Sequence, residues 1–194
     1  AKPVGITDGA KIWELLQQPE NTKYAYLVLR HSAQTLLAPQ EYDLKDFIMP
    51  VAEDVRGSFA ESIQIFQGLV FILDDNIELA KRQFQSLLEK TDNPMSKTIS
   101  QLYLLQIALL EEDHEKAEEY ASNRGVKSFL SLKMADTQIM QAWYQFLVKK
   151  DRDQTDKAIK IARKNMVTSR LVRDEKRYYE NWLAELEKEL SEGV

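Results

Sequence analysis

Two apolar helical stripes separated by three polar residues constrain this chain more than any other feature in it. They lie in the stretch 58–94, SFAESIQIFQGLVFILDDNIELAKRQFQSLLEKTDNP. Ile63, Phe66, Val70 and Leu73, with Ile65, Leu69 and Ile72 beside them, recur at helical spacing. Asp74-Asp75-Asn76 then interrupts the run with residue types that suit a turn and an N-cap. Ile77, Ala80, Phe84, Leu87 and Leu88 carry a second helix to the polar stop Thr91-Asp92-Asn93-Pro94. Ser58 followed by Glu61 has the pattern of a capping box at the start. The result is a two-helix hairpin whose apolar surface is too wide to bury by itself, so other helices must cover it.

Composition fits that reading. With 194 residues, six glycines and five prolines, the chain can bury a sizeable core and has long stretches free of helix breakers. A net charge of −5 argues against nonspecific nucleic-acid binding as the main role. The absence of cysteine excludes disulfides, thiol catalysis and cysteine-ligated zinc. No run reaches the roughly 18–20 apolar residues of a membrane span. The expected location is the cytoplasm, although a leader or anchor ahead of Ala1 would alter that.

Along the chain, residues 1–8 read as an extended arm. A helix follows through Ile12, Trp13, Leu15 and Leu16, and a second over about 22–38 places Tyr24, Leu27, Val28 and His31 near one face. Residues 42–56 carry Leu44, Phe47, Ile48 and Val51 at helical spacing, with Pro50 splitting or kinking the segment and Gly57 ending it. Beyond the hairpin, Thr98 and Gln101 form a further capping-box candidate ahead of Leu102, Leu105, Ala108 and Leu109. Further helices pass through Ala117 and Ala121, through Ile139, Trp143 and Leu147, and from a Thr155 cap through Ala158 and Ala162. Residues 126–134 predict a short helix or ordered connection. The last helix, about 172–191, carries Tyr178, Tyr179, Trp182, Leu183, Leu186 and Leu190. No strand-like alternation competes, so the fold class is all-α.

Ala80, Ala117 and Ala158 each follow a polar turn by about one helical turn, at spacings of roughly 37 and 41 residues. The stretch 61–94 resembles the tetratricopeptide repeat (TPR) family. Gly68 falls at the first-helix glycine, Phe71 at the aromatic three later, Ala80 at the small residue of the second helix and Phe84 at its aromatic. Leu105 and Phe146 stand where the next two units would have the glycine. The resemblance implies antiparallel hairpins stacked as a short TPR-like α-solenoid, with an irregular helical bundle as the rival. The expected organisation is an N-terminal segment or cap at 1–57, hairpins at 58–171 and a C-terminal capping helix at 172–194.

The resemblance also implies a concave wall built by the first helices. Its partner-facing positions would be Ile65, Leu69, Ile72, Leu102, Gln106, Leu109, Met140, Trp143 and Leu147. Carboxylate-clamping members of the family use lysine and asparagine there, and this chain does not. An apolar wall suits an amphipathic helix or strand, unless the chain's own helices fill it. The expected function is a non-enzymatic protein–protein interaction scaffold or adaptor for a protein or peptide partner, without metal or cofactor. The alternative is a helical nucleic-acid-associated regulator acting through the basic stretch 149–177.

No nucleotide-binding, hydrolase or zinc-protease motif is present. His31 reads as a core or boundary residue and His114 as a solvated residue of the acidic turn 111–119. A hydrolase or transferase would instead be signalled by a deep pocket bringing buried carboxylates together with histidine.

Overall fold

The structure is a computed structural model that describes residues 19–51 and 57–192. The helix expected around Ile12–Leu16 and the end of the 42–56 segment lie outside these residues. Among the described residues the chain is all helical, with no strand. The described residues hold nine α-helices in succession: α1 (Thr22–Leu37), α2 (Ser58–Leu73), α3 (Ile77–Lys90), α4 (Pro94–Leu110), α5 (His114–Ser122), α6 (Arg124–Leu130), α7 (Ala135–Tyr144), α8 (Arg152–Met166) and α9 (Arg173–Glu192). Short 3-10 turns occupy Pro19–Asn21, Pro39–Glu41 and Leu44–Phe47.

Successive helices pack as neighbours: α2 on α3, α3 on α4, α4 on α5, and α7 on α8. Three of the turns between them share one device. Asp75, Glu112 and Lys150 all take positive φ, at 59°, 53° and 54°. That left-handed residue lets the chain reverse while satisfying the last carbonyls of the helix. Asn76 N–H donates to Phe71 O at 2.7 Å, and Asp113 N–H donates to Ala108 O at 2.8 Å. In the third turn a π-helical segment, Gln145–Lys149, widens the end of α7, and Asp151 N–H reaches back to Gln145 O.

The alanines that follow the polar turns, Ala80, Ala117 and Ala158, are all buried. Gly68 marks a close helix contact. A Cβ placed on it would lie 2.5 Å from Cζ of Phe84, a fully buried ring that also stacks on Tyr103 with centroids 5.0 Å apart. Phe84 thus joins α2, α3 and α4 only because residue 68 has no side chain. Gly68→Ala should gain about 1 kcal/mol of helix propensity yet lose about 1–3 kcal/mol to overpacking. Urea melts should show net destabilisation. A neutral or stabilising result would mean that the Phe84 ring is free to leave α2.

Several local expectations require correction. Gly57, with φ 123°, is the N-cap of α2, and Ser58 is the first helical residue. Glu61 reaches across the hairpin, accepting hydrogen bonds from Thr91 Oγ1 (2.6 Å), Ser96 Oγ (2.6 Å) and Asn93 Nδ2 (3.2 Å). Its carboxylate pins the α3–α4 turn to the start of α2. Likewise Asn93, not Thr98, caps α4, and Pro94 opens that helix, where its missing N–H costs nothing. Asp151 caps α8, while buried Thr155 donates to Asp151 O. Leu44–Phe47 forms a 3-10 turn closed by reciprocal Asp43 and Asp46 bonds, and the chain is non-helical from Ile48 to Val51, with Pro50 unable to sustain a helical ladder.

Candidate functional site

The residues expected on a concave wall lie in two core clusters, Ile65, Leu69 and Ile72 in one and Leu102, Leu109, Met140, Trp143 and Leu147 in the other, and not on an open surface. Leu69, Ile72, Leu102, Gln106, Leu109, Met140, Trp143 and Leu147 are buried, and Ile65 is half-buried. The wall is covered for a physical reason visible in α9. That helix is amphipathic, with Tyr179, Trp182, Leu183, Leu186 and Leu190 buried and Glu180, Glu185, Lys188 and Glu189 exposed.

The covering contacts are specific. Trp182 stacks on Trp143 with centroids 5.8 Å apart and rings 16° from parallel, and Trp143 Nε1 donates to Trp182 O at 3.2 Å. The fully buried Gln106 accepts from Tyr179 Oη (3.2 Å) and donates to Tyr178 Oη (3.3 Å). Gln106 therefore reads as the polar clamp of α4 on α9, which answers the question of how a buried amide is satisfied. Burial pushes the Tyr178 phenol up to about 12. Leu69 and Ile72 pack with Leu44, Phe47 and Val172, so the segment before α2 and the entry to α9 close the first part of the wall. Leu44 N–H donates to both Asp174 oxygens, at 2.9 and 3.0 Å, and Arg173 Nε donates to Asp43 Oδ1 at 2.9 Å.

Four of the eleven Lys and Arg side chains of the basic stretch pair with acids among the described residues. Arg163 pairs with Glu187, Arg173 with Asp43, Arg152 with Asp156, and Lys149 with Glu118, which also accepts from Tyr144 Oη. In the acidic turn, Lys81 pairs with Glu111 and Lys116 with Asp113.

A second feature was not legible in the sequence. A cavity of about 410 Å³ opens where α1, the start of α7 and the α8–α9 link meet. His31 and Thr35 line it from α1, Asp136 from α7, and Glu175 from α9. Both acids occupy the first turn of a helix, where the backbone favours negative charge. Glu175 Oε2 accepts from Val172 N–H at 3.1 Å, the bond of an N-terminal cap. Even so, burial dominates: desolvation raises the Glu175 carboxyl to about 8, and Asp136 and Asp174 add to the rise. Asp136 is partly exposed as a residue, but its carboxyl lies deep enough that desolvation outweighs its backbone hydrogen bonds and raises it as well. His31 packs against Phe47 and Phe66, with centroids 4.9 and 4.5 Å away, and burial lowers its imidazole. His31 is a half-buried boundary residue, as expected, but its Nε2 is buried without a hydrogen-bond partner.

Among the described residues, no group of three or more His, Cys, Asp or Glu side chains is placed to hold a metal ion. No described helix is long and apolar enough to cross a membrane. In comparisons with known proteins, no family model, no curated protein and no solved structure matches the chain.

Proposed function

We propose that this chain is a non-enzymatic protein–protein interaction module, a TPR-like adaptor whose first-helix wall recognises an amphipathic helix. One observation carries the reading. α9 lies against α2, α4 and α7 in the manner of a helical ligand, offering Tyr179, Trp182 and Leu186 to the wall and a charged face to water. The wall's resident occupant is thus a segment of the same chain, and a partner's helix competes with it. The turns at Asp75 and Glu112, which share one geometry, support the repeat, and the third keeps the left-handed residue at Lys150 after a π-helical widening. In this reading α9 plays the terminal covering role that stacked helical hairpins require.

The exchange is measurable in trans with the full chain. A fluorescent peptide covering residues 172–192 should bind weakly to the wild type, whose own α9 competes. It should bind at least about ten-fold more tightly to Trp182→Ala, which weakens the resident helix but leaves the wall intact, since about 1.4 kcal/mol of lost competition already gives that factor. Failure to bind either chain, with α9 amides exchanging only through global unfolding, would identify α9 as ordinary core and end the adaptor reading.

A further inference from the structure

The cavity at the α1–α7–α9 junction has its charges sorted by depth. Asp136 and Glu175 line it with deeply buried carboxyl groups, the Glu175 one bonded to Val172 N–H, while Lys133 and Arg170 line it from exposed positions. None of these four side chains makes an ion pair among the described residues. Helix capping explains why an acid occupies each helix start, but not why two of them face one cavity without a counter-ion. Burying a carboxylate without a cationic partner is costly, and the second acid raises that cost. Asn165, Thr35 and Thr168 add polar groups to the walls, and Met134 and Leu171 add apolar surface. The unpartnered, buried Nε2 of His31 at the same wall is a further polar group that the fold itself leaves unsatisfied. At about 410 Å³, the space falls within the roughly 300–1,000 Å³ of small-molecule sites.

The charge arrangement selects among ligand types. A diamine would satisfy the acids but aim its second ammonium at Lys133 and Arg170. A simple anion would satisfy the rim and leave the acids uncompensated. A molecule with an ammonium at one end and a carboxylate at the other meets both halves. We propose that this cavity binds a small zwitterion of the α-amino-acid type, its ammonium held by Asp136 and Glu175 and its carboxylate by Arg170 and Lys133. The site is distinct from the wall covered by α9 in its residues and in its ligand chemistry.

The test uses the full chain and the standard free L-amino acids, titrated singly by calorimetry, with n-butylamine and butyrate as one-ended probes. At least one amino acid should bind with one-to-one stoichiometry, and both one-ended probes should bind at least about ten-fold more weakly, a difference of about 1.4 kcal/mol. Glu175→Gln should weaken the same titration at least about ten-fold, and Arg170→Met should weaken it several-fold. Glutamine keeps an acceptor for Val172 N–H, and Arg170 is exposed, so both variants should retain the wild-type circular dichroism spectrum. Binding at neutral pH should also release protons, seen as a heat that varies with the ionisation enthalpy of the buffer, because the ammonium holds the acids in their charged form. The proposal is overturned if none of the amino acids binds, or if binding persists unchanged in both variants.

Discussion

Trp143→Ala is expected to cost the folded chain about 3–5 kcal/mol, the range for deleting a buried tryptophan. Trp143 is only 7% exposed and packs between Trp182 and Phe146, at centroid distances of 5.8 and 6.1 Å. Its indole N–H bond to the Trp182 carbonyl would also be lost, leaving that acceptor without its side-chain donor. Denaturant melts of Trp143→Ala, Trp182→Ala and the double variant would separate the parts. The stacked pair should show a coupling energy of about 0.5–1.5 kcal/mol beyond the two single losses. An open wall, with Trp143 waiting for a partner, predicts instead an unchanged melt. A wild-type midpoint for Trp143→Ala would therefore remove α9 from the wall and restore the open-groove expectation.

The second large effect is a dependence of stability on pH set by the cavity acids. The Glu175 carboxyl stands at about 8 in the folded chain, against an ordinary 4.5. The native state then holds more protons than the unfolded state between these values, so stability falls as pH rises through that window. The loss is complete only above the folded value. It is on the order of a few kcal/mol, because each pH unit crossed inside the window costs roughly 1.4 kcal/mol. Asp136 and Asp174, whose carboxyls are also raised, act in the same direction. His31 acts oppositely: its imidazole is lowered, so protonation below about pH 6.5 favours the unfolded chain. The partly exposed acids Asp43, Asp113 and Glu118, held low chiefly by hydrogen bonds from Arg173, from the Lys116 backbone and from Lys149, lose their contribution only in more acidic solution. Urea midpoints should therefore decline from about pH 6.5 to about pH 8.5 in the wild type, with a much shallower slope in Glu175→Gln. Parallel profiles for the two proteins would show that Glu175 does not titrate in that window.

What the sequence determined by itself was local: the helix spans, the wet and dry faces, and the small residues at the hairpins. The Asp74-Asp75-Asn76 turn and the buried face of α9 follow from side-chain type and a helical period of about 3.6, which need only a few consecutive residues. The capping assignments at Ser58, Thr98 and Thr155 erred because each residue competes with another close by. Gly57, Asn93 and Asp151 are better placed or better suited, and Glu61 gains more from three partners across the hairpin than from its own helix start. Tertiary structure alone decided what covers the apolar wall, because amphipathicity requires a partner for Leu102 and Trp143 without naming it. It also decided the cavity. His31, Asp136 and Glu175 are far apart in the chain and individually ordinary, the two acids suiting helix starts and the histidine a helix face. Only the packing of α1, α7 and α9 takes their polar groups out of water together, and desolvation then changes their chemistry.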